Sequence, residues 1–379
     1  MNHDRMAAMI EATALTRAGR LAEATELIRR TLSGTAAASD EVPDVVRGEI
    51  VIDDPAQRRP GPTVLEGATR ARPPVAPDLD GHPDQPAGNP ADDHAIALPP
   101  GPALPGETTA HVHHGAAGAR PYLLHVPAAS TGPRPLLVML HGGTQTAADF
   151  ATATRIRELA EEHGFLVAFP EQTTSANSMR YWNWFQPDDQ RRGAGEPAIL
   201  VGIVDEVAAV HEVDRERVYV AGFSAGAAMA AVLGAVYPDV FAAVGVHSGL
   251  PYGCAHDVAS AFAAMRNGAA AAPLRCPVPV ITFHGDADQT VAVDNAARVV
   301  EQFSAGAPRG DTLVERGPTR PATRTVVRRG GVVVAEQWTV HGSGHAWSGG
   351  TPGGSYADPG GPDASAEMVR FFAEHSRRG

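Results

Sequence analysis

Val218-Tyr219-Val220-Ala221-Gly222-Phe223-Ser224-Ala225-Gly226-Ala227-Ala228-Met229 is the stretch on which the fold turns. Four β-forming and small residues lead into Gly-x-Ser-x-Gly, and Ala-rich helix formers then run on to Tyr237. A strand that passes through one sharp turn into a helix projects the turn residue above the sheet, and the flanking glycines accommodate the crowded backbone. The helix start also points its amide hydrogens at any negative charge that develops there. The pentapeptide alone says little in a chain with 40 glycines. It gains meaning from the strand before it and the helix after it.

Outward from this point the pattern alternates. Upstream, residues 122–126 and 136–140 read as strands, 148–163 as an amphipathic helix, 166–169 as a strand and 198–210 as a helix. Downstream, 243–247 and 278–283 read as strands and 295–303 as a helix. A hairpin over 325–340 turns at Arg329-Gly330-Gly331, and 365–375 is a closing helix. Short apolar strands alternating with helices predict an α/β chain with a mainly parallel sheet covered by helices on both faces. Sites in such sheets lie in loops at the carboxyl ends of strands.

A serine hydroxyl is a weak nucleophile and needs a base with a group to orient it. His284-Gly285-Asp286-Ala287-Asp288 closes the strand over 278–283, and Asp288 is the first choice of acid, with Asp286 second. Gly342-Ser343-Gly344-His345-Ala346-Trp347 follows the last hairpin strand and offers His345 as base. Asp294 and His341 stay open as substitutes. The order Ser, Asp, His is that of the α/β-hydrolase arrangement. Oxyanion donors are expected from the amide of Ala225 and from Gly143 or Thr144, in the loop Leu140-His141-Gly142-Gly143-Thr144-Gln145; His141 is read as a support of that loop. Trp182, Trp184 and Trp347 are candidates for an apolar wall that binds substrate, with inward core packing the alternative for the Trp182/Trp184 pair. Arg192 and Glu196 read as a structural ion pair. No metal or organic cofactor is called for.

Composition limits the rest. The 379 residues are 43% apolar, enough for a core, and carry a net charge of −12 with a pI near 5.7, which argues against a nucleic-acid partner. No run approaches the roughly 20 apolar residues of a membrane helix. Met1-Asn2-His3-Asp4-Arg5 opens no basic and then apolar leader, so the expectation is a cytoplasmic chain, reversed if the start is misassigned. Cys254 and Cys276 are read as two buried thiols, their pairing left open. Residues 1–33 have helical spacing, Leu15, Ala18, Leu21, Ala24, Leu27, Ile28 and Leu32, with a break at Gly19. Residues 34–106, rich in Pro, Gly, Ala and Asp, are expected to be a mostly disordered linker. Residues 107–379 are then the α/β domain.

Beyond the elbow, the set Leu140 to Gln145, Tyr181-Trp182-Asn183-Trp184-Phe185, Arg192-Gly193-Ala194-Gly195-Glu196-Pro197, His247-Ser248-Gly249-Leu250, His284 to Asp288 and Gly344 to Trp347 resembles the esterase family of polyhydroxybutyrate depolymerases. That family also includes feruloyl and acetylxylan esterases. The resemblance spans residues 120–375. It implies an α/β-hydrolase fold, a Ser224-Asp288-His345 triad and hydrolysis of a polyester or small ester, with Leu250 beside the tryptophans as a substrate contact. An intracellular polyester granule or its oligomers is the substrate consistent with the absence of a leader. Two positions depart from the pattern. Many members carry Cys before Trp-Asn-Trp and Cys in the oxyanion loop, where this chain has Tyr181 and Gly143, so a disulfide there is absent.

Overall fold

The structure is a computed structural model and describes residues 96–98, 103–128, 132–270, 272–304, 307, 309–316 and 319–377. The expected helical element over 1–33 and most of the expected linker over 34–106 lie outside them. Ten strands form one sheet: β1 (Glu107–Gly115), β2 (Gly118–Val126), β3 (Arg134–Leu140), β4 (Leu166–Pro170), β5 (Val213–Phe223), β6 (Ala243–His247), β7 (Val280–Gly285), β8 (Arg309–Arg316), β9 (Pro321–Arg329) and β10 (Val332–Val340). Their order is β1-β2-β4-β3-β5-β6-β7-β10-β9-β8. The six inner strands from β4 to β10 pair in parallel, and antiparallel strands close both edges.

Side chains alternate across the parallel strands, so each face of the sheet has its own core. Leu136, Val138 and Leu140 of β3 and Val218 and Val220 of β5 lie on one face. They pack beneath helices α3 (Gly195–Val210) and α4 (Ala225–Val236). Leu137, Met139, Tyr219, Ala221 and Phe223 lie on the other. That face is covered by α1 (Ala147–Thr154), α2 (Ile156–His163) and α7 (Ala364–Ala373). Burying each such large side chain contributes roughly 1.5–3 kcal/mol. Two further helices, α5 (Val258–Asn267) and α6 (Asp294–Phe303), follow β6 and β7.

Most expected elements are present with shifted ends, and three differences have a physical cause. The helix expected over 148–163 is two helices, because Arg155 adopts φ 54° between α1 and α2. The carbonyls of Ala153 and Thr154 there accept from Thr351 N at 3.0 Å and Ser365 Oγ at 2.6 Å. Helix α5 was not foreseen, yet Asp257 and Ser260 form a capping box at its start. Strand β1 carries His111, His113 and His114, a polar edge pattern that hides a strand from an apolar template. Cys254 is half-buried and Cys276 exposed, and both are free thiols, which corrects the reading of two buried ones. Among the described residues no helix is long and apolar enough to cross a membrane.

Register sets the site's position. Leu140 stands opposite Gly222, Phe223 opposite His247, His247 opposite Phe283, and Gly285 opposite Val340. Five carboxyl ends therefore form one row, and the segments leaving it carry Gly143, Ser224, Ser248, Asp288 and His345. A methyl group on Gly226 would stand 2.2 Å from the Leu140 carbonyl oxygen and 2.4 Å from that of His141. Only glycine lets α4 press this closely against the end of β3.

Candidate active site

The turn between β5 and α4 holds Ser224 at φ 54° and ψ −117°. A non-glycine residue adopts such backbone at a cost of about 1–3 kcal/mol, and the surrounding structure must hold it there. Part of that hold is the Ser224 amide, which donates to the His247 carbonyl at 2.9 Å. Ser224 begins the helix but does not cap it with its side chain, and it is 8% exposed.

His345 Nδ1 lies 2.7 Å from Asp288 Oδ2, with the aspartate side chain fully buried. Burial by itself would raise the Asp288 carboxyl. Hydrogen bonds from His284 and His345, the charge interaction with His345 and the Val291 amide outweigh it and hold the group well below the usual carboxylate range. An ionised carboxylate only accepts, so Nδ1 of His345 carries a proton in this contact, and in the neutral ring Nε2 is the atom with the lone pair. Asp288 Oδ1 is fixed separately by the amides of Thr290 at 2.8 Å and Val291 at 2.9 Å. The His345 ring lies 4.8 Å, centroid to centroid, from Phe223, the neighbour of Ser224. Among the described residues, no hydrogen bond joins Ser224 Oγ to His345. Such contacts commonly tighten when substrate is present.

The substitutes fall elsewhere. Asp286 pairs with His341 at 2.8 Å, both partly exposed, and accepts from the Gly342 amide at 2.7 Å. Asp294 is exposed in the first turn of α6.

Two further histidines stand behind the dyad. His284 Nε2 donates to the Val291 carbonyl at 2.9 Å and lies 3.3 Å from Asp288 Oδ2, while its buried Nδ1 has no partner among the described residues. His247 is stacked on Trp347 at 4.8 Å and accepts from the Ser348 amide through Nε2 at 2.9 Å. Burial first, then the nearby His284 and His345, hold His247 far below its ordinary value, so it is neutral. The sequence displayed both residues inside motifs but gave no sign of these contacts.

In the oxyanion loop the expectation divides. The Thr144 amide is occupied, donating to the Met179 carbonyl at 2.8 Å with Thr144 at φ 66°, which corrects its assignment as a donor. Among the described residues, the amides of Gly143 and Ala225 have no intramolecular acceptor. A methyl group at Gly143 would stand 2.0 Å from the Tyr181 ring, so the two positions that depart from the family pattern are in contact. An aromatic ring resting on a glycine occupies that space.

His141 supports the loop as expected, Nδ1 donating to the Gly142 carbonyl at 2.7 Å and Nε2 accepting from the Gln172 amide at 3.0 Å. Burial lowers its pKa to about 4. The unfolded chain, with an ordinary value of 6.5, therefore binds a proton that the fold excludes between those two pH values. The stability His141 contributes is complete above 6.5 and is lost as pH falls toward 4. We expect the stability gap between wild type and His141→Gln, read by urea denaturation, to shrink by about 2 kcal/mol from about pH 7.5 to about pH 5. A gap that does not change with pH would refute the neutral, buried imidazole.

The substrate-wall assignments are corrected. Trp182, Trp184, Trp347 and Leu250 are 0%, 6%, 1% and 1% exposed and belong to the two cores, so none presents surface to a ligand. Trp182 Nε1 donates to the His141 carbonyl at 3.0 Å and Trp347 Nε1 to Ser365 Oγ at 3.0 Å. Surface near the dyad comes from Tyr356, 45% exposed, with its ring 6.0 Å from Phe223 and 6.4 Å from His345. Its hydroxyl reaches Thr144 Oγ1 at 3.4 Å. Half-buried Tyr181 and exposed Met179 flank the same loop. Tyr181 carried a signal, as an aromatic in place of the family's Cys; Tyr356 lies in a Gly-rich stretch without one. The Arg192–Glu196 pair is also corrected: Arg192 binds Asp239 through both nitrogens, and Glu196 is buried opposite Arg120 at 3.8 Å.

Comparison with known proteins accords with this geometry. The family model for esterase PHB depolymerases matches residues 121–325. The chain belongs to the esterase PHB depolymerase family. Poly(3-hydroxyalkanoate) depolymerase C of Paucimonas lemoignei is 41% identical over 194 residues, 48% of this chain and 47% of that protein. Feruloyl esterase B of Thermothelomyces thermophilus is 34% identical over 128 residues, 34% of this chain and 43% of that one. The chain thus spans about half the length of the curated relatives it matches. An acetyl xylan esterase from Aspergillus awamori has a similar fold, with a TM-score of 0.56 at 18% identity over 71% of this chain and 100% of that one. This family member has the α/β-hydrolase fold.

Proposed function

We propose that the chain is a serine carboxylic-ester hydrolase acting on polyhydroxyalkanoate-type polyester or its oligomers. The observation that carries this reading is the Asp288–His345 hydrogen bond at the same sheet rim as a strained Ser224. His345 Nε2 takes the Ser224 proton as Oγ attacks the ester carbonyl, and Asp288 stabilises the imidazolium that forms. The Gly143 and Ala225 amides receive the oxyanion, each donor lowering the barrier by about 3–4 kcal/mol. His345 then protonates the leaving alcohol, water attacks the acyl-serine by the reverse proton path, and Ser224 is regenerated.

Polyester is preferred because the depolymerase relative is similar over a longer stretch and at higher identity than the feruloyl esterase. Feruloyl or acetylxylan ester hydrolysis is the second reading, and the same three residues would perform it. A panel of aliphatic polyester, hydroxybutyrate oligomers, short acyl esters and feruloyl esters decides between them. The first reading expects the highest kcat/KM on hydroxybutyrate oligomers; a clear preference for feruloyl or acetyl esters would replace it with the second.

A further inference from the structure

Gly142 is gripped twice by one side chain's residue. Its amide donates to Gln145 Oε1 at 2.9 Å, and its carbonyl accepts from the Gln145 amide at 3.3 Å. Gln145 is 2% exposed. With Oε1 committed to Gly142, its Nε2 must find acceptors, and it donates to Asp149 Oδ2 at 2.9 Å and to the Ser355 carbonyl and Oγ at 3.2 and 3.1 Å. Asp149 in turn accepts from the Ser355 amide through Oδ1 at 2.9 Å and from Ser355 Oγ through Oδ2. Ser355 precedes Tyr356, which is held at φ 52° and whose carbonyl accepts from the Trp347 amide at 2.6 Å. Residues 206 positions apart in the chain are thereby tied together.

Resting on the proposed hydrolase reading, we infer that Asp149 is a positioning residue: through Gln145 and Ser355 it sets the Gly143 amide and the Tyr356 loop in register over Ser224. The reason is orientational. A glutamine amide has two faces that differ only in O and N, and a carboxylate on one side forces the nitrogen toward itself and the oxygen toward Gly142. Without Asp149, the Gln145 nitrogen keeps only its Ser355 acceptors, the hold on the Gly142 amide loosens, and the Gly142–Gly143 peptide is left to the His141 and Gln145 amide contacts at the Gly142 carbonyl. Small misplacements of an oxyanion donor cost rate more than binding, because the donor meets its charge only in the transition state.

Asp149 also lies in the first turn of α1, which Thr146 caps by accepting from the Asp149 amide at 3.1 Å. Thr146→Ala weakens this helix start but leaves the Gln145–Asp149–Ser355 contacts in place, so it separates helix stability from positioning. Wild type, Asp149→Ala, Gln145→Ala and Thr146→Ala are compared for kcat and KM on a p-nitrophenyl ester, and for amide exchange of the peptide spanning Gly142. We expect kcat to fall roughly 10- to 100-fold in Asp149→Ala and Gln145→Ala with KM within about threefold. Exchange at Gly142 should be at least about tenfold faster, and Thr146→Ala should lower the melting temperature alone. Unchanged kcat in Asp149→Ala, an equal loss in Thr146→Ala, or unaltered exchange at Gly142 would overturn the assignment. Absence of Ser224-dependent turnover in wild type would overturn the hydrolase reading instead, and the exchange rate would then decide the Gly142 contact by itself.

Discussion

Ser224→Ala is expected to lower turnover of a short p-nitrophenyl ester by about 10⁴-fold or more, with the melting temperature within about 2 °C of wild type. The two halves of the result have separate causes. Among the described residues the Ser224 side chain makes no hydrogen bond, so removing its oxygen takes away no contact seen there. The strained backbone at φ 54° is set by the turn and not by the hydroxyl, and alanine carries the same Cβ into it. What is lost is the nucleophile. Turnover well above background in the purified variant would mean that another group attacks the ester.

Asp288→Asn is expected to reduce kcat by about 10⁴-fold while leaving the chain folded. Asparagine keeps an Oδ1 for the amides of Thr290 and Val291, so the loop after β7 retains its anchor. The change falls at Oδ2, where an NH₂ would face the donor nitrogens of both His345 and His284. To avoid the clash, His345 must move its proton to Nε2, the nitrogen that has to accept from Ser224. Asp286→Asn is the matched control. Its carboxylate serves the partly exposed His341, and its kcat should stay within about threefold of wild type. Equal losses in the two variants would remove Asp288 from its assigned role.

The parts of this site that could be read in the sequence are those that short stretches dictate. A strand, a Gly-x-Ser-x-Gly turn and an Ala-rich helix are contiguous, and so are the strand ends that carry Asp288 and His345. The sheet then brings these ends into one row, which the β/α alternation already implies. Directions of side chains are another matter. Residue type leaves Trp182 and Trp184 open between a pocket wall and the core, but the His141 carbonyl that takes the Trp182 indole N–H is met only in the folded chain, and both rings are buried. Thr144 looked as good a donor as Gly143 until the Met179 carbonyl, 35 positions away, took its amide. The break at Arg155 depends on Thr351 and Ser365, and the Asp149–Ser355 contact spans most of the domain. Nothing local announces interactions of that range.

The most direct test is covalent. A fluorophosphonate reacts only with a serine whose proton is removed as it attacks, so its site and rate report the proposed nucleophile together with its base. Wild-type protein should carry one phosphonyl group, located by peptide mapping on Ser224, and His345→Ala should label at least about 10³-fold more slowly with the fold intact. Labelling at a different serine, or undiminished labelling of Ser224 without His345, would contradict the assignment.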